Sequence, residues 1–281
     1  MDGERVLAQA AEAYRIALGD RLLAAYALGS LAHGGFNALV SDVDLGLILA
    51  DPLQPDDGDA IRTIAEMEKS KGSVLHERLS VFWGTPATLR GDQEGGRFPA
   101  LDRLDLLENG RLLVGNDDAR RGLPTPSTRD LLVTGAEFAL ASLAGLGPPN
   151  DARGEDATEE ILSPDLLLSR GVRRVTRLVL FPVRFLYTAA TGRVGTNHAA
   201  VASYLQGDHA PSRVLVAAAL EWRTAPPADD SRAAELLREQ LLPLYLHYID
   251  DHVERLDATG ESDLAASFRD WRRRLAQTDA G

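Results

Sequence analysis

The sequence predicts an α/β (α+β) domain with a small mixed sheet over residues 1–124, followed by an all-helical domain over residues 125–281. Three observations carry this. Apolar runs of strand length alternate with helix-spaced segments up to about residue 115, the order expected of a mixed sheet with helices laid against it. After Leu123-Pro-Thr-Pro126 nearly every periodic segment is helical. Near the start, Ser41-Asp42-Val43-Asp44-Leu45 sets two carboxylates two residues apart within an apolar run.

Residues 6–18 have helical spacing, with Val6, Ala10, Tyr14 and Leu18 on one stripe and Gly19-Asp20 closing it. The apolar run 22–28 reads as a strand that ends at a Gly29-Ser30 turn, and residues 32–39 as a short helix or loop. Residues 42–49 form the next strand. Successive side chains alternate faces there, so Asp42 and Asp44 share one face while Val43 and Leu45 point into the core. Asp51-Pro-Leu-Gln-Pro-Asp-Asp-Gly58 is a turn-rich break before a helix over about 59–69. Residues 74–83 read as extended and contain Glu77, and residues 99–115 as a helix followed by the last strand.

In the second domain the spacing predicts helices over 127–144, capped by Ser127, and then over 165–191, 197–205, 212–224, 231–258 and 261–277. Residues 145–160, rich in Gly, Pro, Asp and Glu, read as a loop or linker. No internal repeat is evident.

Composition narrows the function. The 281 residues are 44% hydrophobic, enough to fill real cores, and carry a formal charge of −12. That balance opposes general nucleic-acid binding, which requires a basic face, and suits a cationic substrate. There are no cysteines, so disulfides and thiolate metal sites are excluded. The charged start, Met1-Asp-Gly-Glu-Arg5, lacks a secretory core, and no segment reaches eighteen uninterrupted apolar residues. A cytoplasmic protein without membrane spans is expected.

Two hard oxygen ligands on one strand face form half a magnesium site. A turn at Gly29-Ser30 can bring backbone N–H groups and the Ser30 hydroxyl to a phosphate tail. The stretch from Tyr26 to Leu49, with Gly-Ser, a glycine-bearing connection, Ser-Asp-x-Asp and an apolar strand, resembles the signature of the polymerase-beta-like nucleotidyltransferase superfamily. A second stretch, from Val183 to Leu205, holds an Arg-x-x-Tyr helix, a Thr-Gly turn and a small-residue helix. It resembles the C-terminal domain of bacterial aminoglycoside adenylyltransferases of the streptomycin and spectinomycin type. The likeness runs discontinuously over about residues 22–222.

The resemblance implies transfer of AMP from ATP, as co-substrate, to a hydroxyl of a cationic aminoglycoside-like molecule, a chemistry of antibiotic resistance. It implies Mg²⁺ held by Asp42 and Asp44, which also act as catalytic residues, and nucleotide contacts from Gly29, Ser30, Ser41 and Arg184. Arg184 matches an arginine that reaches from the helical domain toward the phosphates, and an unpaired arginine in so apolar a run would be costly. The lysine that the family commonly carries after the Thr-Gly turn is matched here by Asn197, leaving Arg193 as an alternative cation. A third carboxylate, base or further metal ligand, is also implied. Glu77 is the acid available on residues 74–83, but an ungapped match puts Arg78 at that position, so Glu77 requires a one-residue bulge. The acidic drug contacts do not carry over: Arg174 stands nearest one of them, and Glu155, Asp156, Glu159 and Asp165 lie where no alignment holds. Two other readings remain, a nucleotidyltransferase that AMPylates a protein and an inactive nucleotide-binding module.

The six histidines show no metal-ligand spacing, and Trp83, Trp222 and Trp271 read as packing residues.

Overall fold

The computed structural model describes residues 2–146, 156–207 and 210–278, and the chain divides into two compact units, Met1–Pro126 and Ser127–Gly281. In the first, helix α1 (Gly3–Leu18) leads through a 3₁₀ turn into strand β1 (Leu22–Leu28), the short helix α2 (Gly29–His33) and strand β2 (Val43–Leu49). Helices α3 (Asp57–Lys69) and α4 (Val74–Glu77), strand β3 (Leu79–Gly84), helices α5 (Pro86–Arg90) and α6 (Ala100–Glu108) and strand β4 (Arg111–Gly115) follow.

The sheet order is β3-β2-β1-β4, with β2 and β3 parallel and the other pairs antiparallel. The fold is therefore the expected mixed sheet with helices. Because side chains alternate, the strands feed two cores. On one face Ala25, Ala27, Val43, Leu45, Leu47, Leu49, Leu79 and Val81 pack with Val6, Leu7, Ala10 and Tyr14 of α1 and Ile61 of α3. On the other, Ala24, Tyr26, Leu28 and Ile48 pack with Leu89 of α5 and Leu106 of α6. Each large side chain so buried contributes about 1.5–3 kcal/mol. Asp44 belongs to the second face, where β2 reads Asp44, Gly46, Ile48, and Asp42 lies one residue before the strand.

The second unit is helical: α7 (Thr128–Ser142), α8 (Thr158–Leu162), α9 (Pro164–Ser169), α10 (Val172–Thr191), α11 (Asn197–Gln206), α12 (Arg213–Trp222), α13 (Asp230–Ala258) and α14 (Ser262–Thr278). Ser127 caps α7 in a reciprocal capping box with Asp130. The helix predicted over 165–191 is broken at Arg170-Gly171, where Gly171 takes φ 85° and so starts α10 afresh. Residues 156–160 of the predicted linker are ordered, with α8 starting at Thr158. One core joins α7, α10, α12, α13 and α14, and Trp271 at its centre meets Tyr245 and Phe268 edge to face. Among the described residues no helix is long and apolar enough to cross a membrane.

Candidate active site

The Gly29-Ser30 turn is built against both carboxylate-bearing elements around it. Gly29 takes φ +57°, and a Cβ there would run into the Asp44 carboxylate, so only glycine lets the backbone pass so close. Its N–H donates to Asp105 Oδ2 at 2.6 Å, and Asp105 Oδ1 accepts from Asn109 Nδ2 at 2.9 Å. Asp105, on α6, is buried. The Gly29 amide is therefore committed within the fold, and the turn's contribution to an anion falls to the groups after it. Ser30, half-buried, is the second residue of α2.

Asp42 lies one residue before β2 and Asp44 within it, both half-buried, with Val43 and Leu45 in the core. Asp44 pairs with Leu28 on one side and Ser80 on the other. Beyond Asp44 the face closes: a Cβ on Gly46 would stand 3.0 Å from Leu28 Cδ1 and 3.2 Å from Phe98 Cζ. Phe98 sits 6.0 Å from Phe82, and Arg97 lies over the Phe82 ring at 4.9 Å while donating to the Val81 carbonyl. The carboxylates thus sit where an apolar cover ends. Two such oxygen donors fit one divalent cation of the magnesium type, which keeps several water or phosphate ligands of its own. Among the described residues no three acids or histidines are grouped to hold a metal.

The other sequence candidates divide. Ser41 is buried, its Oγ accepting the Asn37 N–H at 3.0 Å and its N–H donating to the Asn37 carbonyl at 2.8 Å, which closes the 37–41 turn. Glu77 is exposed at the end of α4 and not on a strand. The extended segment expected from residue 74 starts instead at Leu79, because Ser73 caps a helical turn: its Oγ stands 2.7 Å from His76 Nδ1 and accepts the His76 N–H. The β2–β3 register runs unshifted from Val43–Leu79 to Ile48–Gly84, so the bulge considered for Glu77 is not formed. Arg78 occupies the intervening position; its carbonyl accepts the Val43 N–H at 3.1 Å, and Nη1 donates to the Ala38 and Leu39 carbonyls, each at 3.1 Å.

In the helical unit Arg184 lies on α10 with Nε donating to the Gly195 carbonyl at 2.6 Å and its guanidinium 5.7 Å from the Phe181 ring centroid. These contacts offset the cost of a cation in an apolar helix. Arg193 lies in the connection between α10 and α11, and Asn197 is the first residue of α11. Of the acids considered for an amine-bearing acceptor, Asp156 caps Thr158, Glu159 and Asp165 are exposed, and Glu155 lies outside the described residues. Arg174 is paired with Glu160, Nε at 2.8 Å and Nη2 at 2.5 Å, both side chains mostly buried. Sequence reasoning missed Asp105 and Glu160. The available signal for Asp105 was an acid between leucines in a helix, Leu104-Asp105-Leu106.

No family model matches the sequence, and no curated protein does. Among solved structures the chain is similar to spectinomycin adenyltransferase AAD(9) from Enterococcus faecialis, a crystal structure with ATP and spectinomycin. The two are 14% identical with a TM-score of 0.52, over 85% of this chain and 99% of that one. At that identity the likeness establishes a shared fold.

Proposed function

We propose that this chain transfers a nucleoside monophosphate from ATP to a hydroxyl of a small-molecule acceptor and releases pyrophosphate. The observation that carries the reading is the pair of half-buried carboxylates at the start of β2, Asp42 just before it and Asp44 within it, with Asp44 packed against Gly29. The fold shared with an adenyltransferase solved with ATP supports it.

In this reading Asp42 and Asp44 hold Mg²⁺, which when bound supplies charge stabilisation to the phosphates in an in-line displacement. Ser30 and the backbone after Gly29 orient the triphosphate tail, Ser41 keeps the 37–41 turn in register beneath Asp42, and Arg184 takes a phosphate. Glu77 ends α4 two residues before β3, without the bulge that would set it on the strand, and is the carboxylate to test as the base that takes the proton from the acceptor hydroxyl. The spectinomycin in the neighbouring structure makes aminocyclitols and aminoglycosides the acceptors to try first.

The test is a pyrophosphate-release screen with ATP and magnesium over hydroxyl acceptors, those drugs included. Release that depends on one acceptor supports the reading. Labelling of a protein by radioactive ATP in lysate, without small-molecule transfer, points to AMPylation. ATP binding with no release under any acceptor points to an inactive nucleotide-binding module.

A further inference from the structure

Strand β3 runs parallel beside β2, and the pairing of the two matches Asp44 to Ser80 and Gly46 to Phe82. Side chains of residues matched in this way project from the same face of a sheet. Leu79 and Val81 pack into the opposite core with Val43, Leu45 and Leu47, so Ser80 is turned toward the face that carries Asp44. On its other side Asp44 is paired with Leu28 of β1, which is buried. Asp44 therefore stands between an apolar neighbour on one strand and a hydroxyl on the other. All of these residues belong to the sheet unit.

Packing does not account for the serine. It is the one polar side chain in Leu79-Ser80-Val81-Phe82-Trp83, and the next residue on its face, Phe82, meets Phe98 at 6.0 Å between ring centroids. Ser80 is half-buried, and among the described residues its hydroxyl has no hydrogen-bond partner, whereas Ser41 uses its own to accept the Asn37 N–H. A polar group so placed is satisfied by water or by a ligand. Neighbouring strands lie about 4.7–4.9 Å apart, which brings the Ser80 hydroxyl within reach of whatever the Asp44 carboxylate holds.

We infer that Ser80 is a positioning residue of the cation site, its hydroxyl hydrogen-bonding a water carried by the divalent ion that Asp42 and Asp44 hold. The inference rests on the transfer reading for the ion itself. An ion of the magnesium type keeps several waters when carboxylates bind it, and the oxygen of a serine hydroxyl accepts hydrogen bonds from such waters. Groups that orient a metal's ligands without touching the metal commonly change its affinity by about 10–100-fold. Leu28, on the opposite side of Asp44, has no polar atom to offer, so β3 is the strand from which the ion's water is held.

The experiment is calorimetric titration of the full chain with a non-hydrolysable ATP analogue, once with Mn²⁺ and once with EDTA, so that the ion's share of the affinity is read directly. Ser80→Ala is expected to bind the analogue about tenfold or more weakly than wild type with Mn²⁺, and equally well with EDTA. Ser80→Thr, which keeps the hydroxyl and suits a strand, should stay near wild type in both. Ser80→Asp, setting a carboxylate beside Asp44, should gain more from Mn²⁺ than wild type does. Should Ser80→Asp melt early, the alanine and threonine variants decide. Wild-type affinity in Ser80→Ala with Mn²⁺ would overturn the inference. So would an equal loss with Mn²⁺ and with EDTA, which would make Ser80 a packing residue, or a loss that threonine does not restore. If Asp44→Asn abolishes the gain from Mn²⁺ while Ser80→Ala keeps it, this inference alone falls. A gain from Mn²⁺ that neither variant alters, or none in wild type, would remove the metal assignment and this inference together. A loss specific to Mn²⁺ in Ser80→Ala, with no pyrophosphate release under any acceptor, would sink the transfer reading alone.

Discussion

The backbone N–H of Gly29 donates to the buried carboxylate of Asp105 at 2.6 Å, tying the turn after β1 to α6 across 76 residues of sequence. Removing that acceptor leaves a buried donor unsatisfied next to the candidate site. Asp105→Ala is expected to lose about 1.5–3 kcal/mol of stability, the scale of a hydrogen bond to a charged group, and to weaken ATP binding as the turn loosens. Asp105→Asn, which keeps an acceptor oxygen, should lose less of both. Urea denaturation and ATP titration of the two variants check this; wild-type values in Asp105→Ala would mean the turn holds itself.

Asp42→Asn and Asp44→Asn are each expected to abolish transfer with an unchanged melting temperature. Each change removes a ligand charge from a half-buried position and no core volume. Near-wild-type turnover in either variant would remove that residue from the metal site.

Glu77 is exposed, so Glu77→Gln should not affect folding. Acting on the acceptor's proton, it is expected to lower turnover and leave ATP affinity unchanged. Single-turnover rates alongside ATP titration separate the two, and a normal rate would make Glu77 an ordinary surface carboxylate.

For Arg184→Ala, ATP binding is expected to weaken by about 1.5–3 kcal/mol, tenfold or more in affinity. Arg184→Lys should recover only part, because an ammonium lacks the planar fork. Since Arg184 also bonds the Gly195 carbonyl, the melting temperature is measured in parallel. Unaltered affinity would restrict Arg184 to holding the α10–α11 connection.

His252 is buried on α13, its ring 4.3 Å from that of Tyr248 and stacked on Phe268 at 5.8 Å. Burial drives its pKa below the ordinary 6.5, against the opposite pull of Asp251, whose Oδ2 lies 3.3 Å from Nδ1. A histidine pKa lower in the folded than in the unfolded chain leaves stability whole above pH 6.5. Below that pH the unfolded chain takes up the proton first and stability falls, by at most about 1.4 kcal/mol per pH unit, until the folded-state pKa is reached. The difference in urea midpoint between pH 7.5 and pH 5 should therefore shrink in His252→Leu. An equal difference in both proteins would assign the acid sensitivity to other groups.

Strands β1 and β2 were legible because each is an apolar run of sheet length, and the alternation of Val43, Leu45 and Leu47 into the core follows from strand geometry alone. Helix ends were read to within two residues where a cap announced them, as at Ser127. What stayed hidden depended on contacts distant in sequence or on local turn chemistry. Glu77 left the strand because Ser73 nucleates a helical turn that apolar patterning does not register. Gly171 divided one predicted helix because periodicity does not see a φ of 85°. Asp105 became part of the site through a bond to Gly29, and no local pattern encodes a partner 76 residues away.

The tryptophans divide unevenly between the two units. Trp83 lies half-buried on β3 of the first, while Trp222 and the fully buried Trp271 belong to the second. Intrinsic fluorescence is therefore a built-in gauge of each half. With Trp222 and Trp271 replaced by Phe, the remaining emission follows the sheet unit through Trp83; with Trp83 replaced, it follows the helical one. Two units with their own cores need not melt together. Emission from the two singly reporting proteins would show whether loss of the sheet unit precedes loss of the helical one, with no added dye or label.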